Sequence, residues 1–411
     1  MSTVAAPPPA APTGPATQTL GAYARRWWID VKGGELGSLP IVIGLIVIAI
    51  VFQSQNDRFL TAGNFVNLLV QFAPYAVIAM GVTFALLLGE IDLSIGFVSG
   101  VGGVLIAILL TPDGNEPPTV VAIAIVLAAG VGIGTLHGLI ITKVGVPSFV
   151  VTLAGLLAWN GVVLLLIGSR GTVILQNDIV IGIANDFLAP GMAWVLMLVA
   201  TGLYALIQLT RVRSRRIAGL QTDPMLIVAL RIVGLGVALA IVVAVANEDR
   251  GVPYAALLVG GLLLFWTYVL NRTRFGRHIY AVGGNAEAAR RAGIDVDRVK
   301  IACFAIVSFM AVLGGIVLAS RLRSVDTNTG GGQALLYPIA AAVIGGTSLF
   351  GGRGTMKAAI LGALVMLSID NGLGLLGLSS GTKFVLTGGV LLLAVTVDSI
   401  SRRGRVHSGR A

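Results

Sequence analysis

Charge is scarce in this sequence. Charged side chains make up 11% of the 411 residues, whereas a soluble domain carries about 25%. That is too little to cover a water-facing surface, and it excludes an ordinary soluble globular protein. Cysteine is almost absent: the one thiol, Cys303, lies inside an apolar run and excludes an internal disulfide. His137, His278 and His407 stand far apart and share no motif with the cysteine, so no metal-ligand spacing is present. Acidic residues are outnumbered, 18 to 28, for a net charge of +10. Nucleic acid is excluded as a partner, because the basic residues gather in short loops between apolar runs, as the positive-inside rule requires of a membrane protein. The phosphate-binding order Gly-x-x-x-x-Gly-Lys-Ser/Thr and a dinucleotide fingerprint in a strand-turn-helix setting are also missing, so the chain has no visible means of hydrolysing ATP itself.

What the chain has in quantity is hydrophobic sequence, 56% of its residues, in runs of roughly 15–25, the length that crosses a ~30 Å hydrocarbon core at 1.5 Å per residue. The fold class is therefore an all-α, polytopic membrane protein, with lipid as its main solvent and about 10–12 transmembrane helices. Candidate spans fall near 39–53, 66–88, 95–110, 119–142, 147–167, 191–209, 226–246, 253–270, 301–320, 336–350, 357–378 and 384–398. Those at 39–53, 95–110 and 336–350 are short enough to be broken or re-entrant. With twelve crossings and a cytoplasmic N-terminus, 21 of the 28 Lys and Arg residues lie inside, six lie outside, and Arg231 sits near a helix end. This bias places both termini in the cytoplasm. Residues 1–37 open on a Pro/Ala/Thr-rich stretch and read as a disordered cytoplasmic tail. Arg25-Arg26 resembles a twin-arginine signal, but no small-residue cleavage site follows, which favours an uncleaved first span. Residues 38–400 form the transmembrane domain and 401–411 a basic cytoplasmic tail. Two long loops are candidate partner surfaces, 168–190 outside and 271–300 inside.

Several motifs carry chemistry. Between two apolar runs lies Gly89-Glu90-Ile91-Asp92-Leu93-Ser94-Ile95-Gly96. Carboxylates beside a bilayer core must be paired, hydrated or interfacial. The segment reads as a helix break with Asp92 or Ser94 capping the next helix, or as part of the permeation path; a catalytic reading lacks any nucleophile or metal partner. The inner segment 276–294 contains a short helix with Asn285 as N-cap and Gly293 ending it. Its Gly284, Asn285, Glu287, Ala288, Arg290 and Arg291 suit a helix lying flat at the surface, either inserted in a cleft of another protein or serving as a solvated connector. The stretch Gly345-Gly346-Thr347-Ser348-Leu349-Phe350-Gly351-Gly352-Arg353 permits a tight reversal or re-entrant turn. Gly130, Gly134 and Gly138 form a ridge of small residues for close helix packing, within the chain or between copies. Asp370 and Asn371 fall inside a span, as a proton relay, a polar wall of a substrate path or a structural contact.

Taken together, the Glu90–Ser94, 276–294 and 345–355 stretches resemble the permease subunits of bacterial monosaccharide ABC importers of the ribose and xylose type. Val146-Pro147-Ser148-Phe149-Val150-Val151-Thr152-Leu153-Ala154-Gly155 also matches, and the agreement runs in order from about residue 60 to 400. An inserted region around 168–250 and the stretch Asp249 to Pro253 are most similar to the xylose-type branch. The resemblance implies a multi-pass protein of the bacterial inner membrane, working as a homodimer. It further implies an extracytoplasmic sugar-binding protein and a separate ATPase with two nucleotide-binding domains, which holds the ATP and Mg; this chain is expected to carry no cofactor. Glu287, Ala288 and Gly293 belong, by resemblance, to the segment that docks on the ATPase. Two rival readings remain: a proton-coupled secondary transporter using Glu90, Asp92 or Asp370, and a membrane-embedded enzyme such as a lipid-linked glycosyltransferase, for which the polar loop 168–190 is a poor match.

Overall fold

Lipid cannot hydrogen-bond a backbone, so a chain this apolar must satisfy its peptide groups within helices. The computed structural model describes residues 19–32, 39–112, 114–389, 392 and 396. In chain order the helices are α1 (Leu20–Lys32), α2 (Leu39–Gln55), α3 (Ala62–Leu87), α4 (Ile95–Leu109), α5 (Thr119–Leu139), α6 (Ser148–Ile167), α7 (Asp178–Asn185), α8 (Pro190–Ile217), α9 (Met225–Asn247), α10 (Tyr254–Arg272), α11 (Arg274–Gly284), α12 (Ala286–Arg291), α13 (Val296–Leu322), α14 (Gln333–Ile344) and α15 (Met356–Leu375). Residues 380–389 are also helical. Among the described residues, eight helices are long and apolar enough to cross a membrane, and α2, α4 and α14 are shorter apolar helices. The chain is thus a polytopic α-helical membrane protein. At about 22 Å and 18 Å, α4 and α14 fall short of a ~30 Å core. Their first turns pack together, Gly96 lying against Leu335 and the Gly330 carbonyl, so these two apolar runs are the broken segments that their length announced.

Helix α1 departs from the sequence reading, which placed residues 1–37 in a disordered tail. The last proline of the tail is Pro15, and beyond it Leu, Ala and Arg favour a helix. The remainder of that tail, residues 1–18 and 33–37, and the basic tail 401–411 lie outside the described residues.

The region read as one transmembrane domain divides into two compact units. One contains α1, α8 and α9, and the other contains the remaining helices. In the first unit α8 and α9 form an antiparallel hairpin whose apolar side chains, Leu198, Val199, Leu206, Val233 and Ile241 among them, are exposed, as lipid-facing side chains must be. Arg231 reaches both Asp223, at 2.9 Å, and the Tyr23 hydroxyl, at 3.0 Å.

The second unit is built around α3 and α13, both largely buried. The glycine ridge of α5 packs against α13 of the same chain. A Cβ on Gly130 would lie 2.8 Å from Val312, one on Gly134 2.1 Å from the Phe304 carbonyl oxygen, and one on Gly138 2.7 Å from the Ile301 Cα. Such contacts let two backbones approach closely enough for dispersion to hold them without a hydrophobic driving force. One end of this unit carries the 88–94, 140–147, 271–296 and 345–355 connections. The opposite end carries a small ribbon the sequence did not announce, β1 (Thr172–Ile174) paired antiparallel with β2 (Ser324–Asp326). There α7 is tied to α13 through Ser320, whose hydroxyl accepts from the Ala184 amide at 3.0 Å and donates to the Ile181 carbonyl at 2.9 Å.

Candidate functional site

Three segments far apart in sequence meet at the first of these ends. The turn after α3 is closed by Gly89 with φ +75° and by the Glu90 amide donating to the Ala85 carbonyl at 3.0 Å. Glu90 then forms an ion pair with Lys300 in the first turns of α13. Their side chains are 15% and 23% exposed, dry enough that neither charge is comfortable alone.

Asp92 supplies the cap for α4. Its Oδ1 accepts from the Ser94 amide at 2.8 Å and the Ser94 hydroxyl at 2.6 Å, whereas Ser94, the residue at the helix start, makes no side-chain cap bond of its own. Burial holds the Asp92 carboxyl above its ordinary range, against the opposing pull of the Ser94 hydrogen bonds. Around this turn, the Thr152 hydroxyl is shared between the Ser148 carbonyl at 2.8 Å and the Ile91 carbonyl at 3.1 Å, and the Trp159 indole donates to His137 Nε2 at 3.1 Å. The acidic motif is therefore clasped by α5, α6 and α13.

The second segment is the α11–α12 connection. The Thr273 hydroxyl caps α11 by accepting from the Gly276 amide at 3.1 Å, and Ile279 and Val282 bury its inner face. Asn285 caps α12 as the sequence predicts, its Oδ1 accepting from the Ala288 amide at 2.9 Å. Gly293, with φ +84°, ends that turn, the Gly293 amide donating to the Arg290 carbonyl and the Ile294 amide to the Ala289 carbonyl, both at 3.0 Å. Only Ala289 of α12 is buried. Glu287 pairs with Arg291 at 3.0 Å, the two side chains being 65% and 78% exposed. Arg290 lies 3.7 Å from Asp297, which Lys143 holds at 2.8 Å.

The third segment is the glycine-rich loop, where Gly346, Gly351 and Gly352 all take positive φ. The Thr347 amide donates to Ala342 at 3.0 Å and the Ser348 amide to the Arg353 carbonyl at 2.8 Å, closing a tight reversal between α14 and α15. Gly345 starts it against Ala358. The junction of all three segments is Gly283. A Cβ there would stand 1.7 Å from the Leu87 carbonyl oxygen and 2.8 Å from the Gly352 nitrogen. The Gly352 amide donates to the same Leu87 carbonyl at 2.9 Å, and the Tyr280 hydroxyl donates to the Gly354 carbonyl at 2.8 Å. Burial raises the Tyr280 phenol above its ordinary pKa, so it remains a donor. Movement of α11 must therefore move the α3–α4 turn and the glycine loop with it.

Asp370 and Asn371 belong to a separate cluster among α3, α14 and α15. Asp370 Oδ1 accepts from Gln333 at 3.0 Å and Tyr337 at 2.9 Å. Asn371 forms a reciprocal amide pair with Asn64 at 2.9 and 3.0 Å. Sequence reasoning missed Lys300, Thr152, His137 and Tyr280. A carboxylate beside a bilayer core does demand a cation, but which of several nearby cations serves is settled only by the packing.

A family model described as branched-chain amino acid transport system / permease component matches residues 64–395. The chain is 38% identical over 382 residues to the xylose transport system permease protein of Escherichia coli K12, covering 91% of this chain and 94% of that one. It is 32% identical to the xylose transport system permease protein of Haemophilus influenzae, over 89% and 98% of the two chains. It is 30% identical to the ribose import permease protein of E. coli K12, over 93% and 98%. No solved structure matches. With a family match spanning most of its length and relatives aligned nearly end to end, the chain belongs to this family of membrane transport permeases.

Proposed function

We propose that the chain is the permease subunit of an ABC-type importer for xylose or a related pentose or hexose, in a bacterial inner membrane. The observation that carries this reading is the junction at Gly283, where the three motifs meet beneath a short helix that turns its charged side chains outward. A transporter driven by a separate motor needs one element whose position both the motor and the membrane helices bias, and α11–α12 has that form. In this reading α12 docks on an ATPase with two nucleotide-binding domains, which binds the ATP and Mg. An extracytoplasmic sugar-binding protein delivers the sugar, and two copies of the chain enclose the path. The 21 to 6 charge bias supports cytoplasmic termini, with the α11–α12 end inside. The relatives' names, xylose and ribose permeases, support the substrate class. They do not favour the proton-coupled alternative, and the three carboxylates it would use are each held by side chains: Glu90 by Lys300, Asp92 by Ser94, Asp370 by Tyr337 and Gln333.

The test is sugar uptake into proteoliposomes holding this chain, with and without its ATPase and binding protein. Uptake is expected only with every part and ATP present, and Glu287→Lys is expected to abolish ATPase association. Uptake by the chain alone under a pH gradient would overturn the proposal. Full association of Glu287→Lys would overturn the docking assignment.

A further inference from the structure

Helix α8 is longer than a membrane requires. Its 28 residues extend about 42 Å, whereas residues 190–209 already cover about 30 Å. The last two turns therefore emerge at the lipid–water boundary, carrying Arg211, Arg213, Arg215 and Arg216. Leu209, Val212, Arg213, Arg216 and Ile217 recur at the three- and four-residue spacing that aligns side chains on one helix face. Together with Met225 from the start of α9, these five residues line an open cavity of about 400 Å³. Val212 is its buried floor, and Leu209, Ile217 and Met225 are exposed around it.

Among the described residues, no acid matches the charge in this cavity. Asp223, the acid of the α8–α9 connection, is taken by Arg231 at 2.9 Å, and Arg215 donates to the Gln221 carbonyl at 3.1 Å. Arg213 and Arg216 have no hydrogen-bond or ion-pair partner among the described residues. Two guanidiniums beside an aliphatic wall, at the depth where headgroups meet acyl chains, match a phosphodiester with hydrocarbon attached. Guanidiniums bind phosphate oxygens as planar forks, and basic pockets between membrane helices take anionic headgroups. We propose that this cavity is a binding site for an anionic phospholipid, its phosphate on Arg213 and Arg216 and its upper acyl methylenes against Leu209, Ile217 and Met225. The site belongs to the α8–α9 hairpin and does not depend on the transport reading above.

The experiment is native mass spectrometry of the purified full chain, titrated with phosphatidylglycerol and, separately, with zwitterionic phosphatidylcholine. The double variant Arg213→Gln/Arg216→Gln is expected to lose affinity for phosphatidylglycerol roughly 30-fold, about 2 kcal/mol at roughly 1 kcal/mol per cation. Met225→Trp keeps every charge but fills the cavity, and it is expected to lose the same lipid. Arg402→Gln/Arg403→Gln removes equal charge elsewhere and is expected to retain it. Unchanged binding in the double variant or in Met225→Trp would overturn the proposal. So would an equal loss in the Arg402/Arg403 variant, equal affinity for phosphatidylcholine, or displacement of the lipid by millimolar inorganic phosphate alone.

Discussion

Replacing Gly283 with alanine tests whether the three motifs act as one body. The added methyl would sit 1.7 Å from the Leu87 carbonyl oxygen, and Cβ atoms essentially never approach another atom within 3.0 Å. Helix α11 and the end of α3 must therefore separate by about 1.3 Å or more. The same Cβ would stand 2.8 Å from the Gly352 nitrogen, so the 2.9 Å hydrogen bond from the Gly352 amide to Leu87 is disrupted as well. Overpacking costs about 1–3 kcal/mol and the lost hydrogen bond about 0.5–1.5 kcal/mol, so the variant should be less stable by about 1.5–4.5 kcal/mol. The neighbouring Gly284 is the control, since a Cβ there meets nothing within 4 Å. Gly284→Ala should be neutral or slightly stabilising, because alanine is the better helix former. Thermal unfolding of the purified chain reads the stability difference. ATP-driven uptake with ATPase and binding protein reads the coupling, and only Gly283→Ala should lose it. If Gly283→Ala melts and transports like the parent, the close approach is not what joins these elements. If both variants fail alike, the defect belongs to α11 as a helix and not to the junction.

The Glu90–Lys300 pair yields a second expectation: Glu90→Gln alone should destabilise by about 1–3 kcal/mol, less than for a fully buried pair because both side chains retain some water. Glu90→Gln/Lys300→Gln should recover part of the loss in a double-mutant cycle, and strictly additive losses would show that the two charges do not interact. On the α5 ridge, Gly134→Ala forces a methyl to 2.1 Å from the Phe304 oxygen, while Gly132→Ala meets nothing within 4 Å. The first should cost about 1–3 kcal/mol and the second nothing measurable, and equal melting temperatures would contradict the packing. Asp370→Asn keeps the acceptor that Gln333 and Tyr337 use and should cost under about 1 kcal/mol, whereas Asp370→Leu strands both donors at about 1–3 kcal/mol. If Asp370→Asn preserves melting yet loses uptake, the carboxylate serves the sugar path in addition to the bundle.

Which features were legible in the sequence follows from how far each one's cause extends along the chain. Asn285 capping α12 and Gly293 ending it are decided within four residues, and the cap and stop signals were readable as they stand. The glycine spacing at 130, 134 and 138 announced a close helix contact, but its partner α13 lies more than 160 residues away, and periodicity cannot name a partner. Glu90 announced the need for a counter-charge in the same way, while Lys300 was one basic residue among many until the helices were packed. Hydropathy has its own blind spot. The runs that became α3 and α8 look alike as apolar segments, yet α3 is buried by protein and α8 is nearly all exposed. Lipid and a protein interior reward the same side chains, so the pattern reports that water is excluded and not what excludes it. That is why the separate α8–α9 unit could not be read from the apolar runs. Such a unit is marked by what lipid tails do not tolerate, and in α8 the arginines cluster at the end that emerges from the hydrocarbon. The charges are therefore the more informative residues in a chain that has so few of them, for each needs a partner or a boundary. Glu90 has Lys300 and Asp92 has Ser94, whereas Arg213 and Arg216 have no partner among the described residues, and the proposed anionic lipid would supply their counter-charge at the boundary.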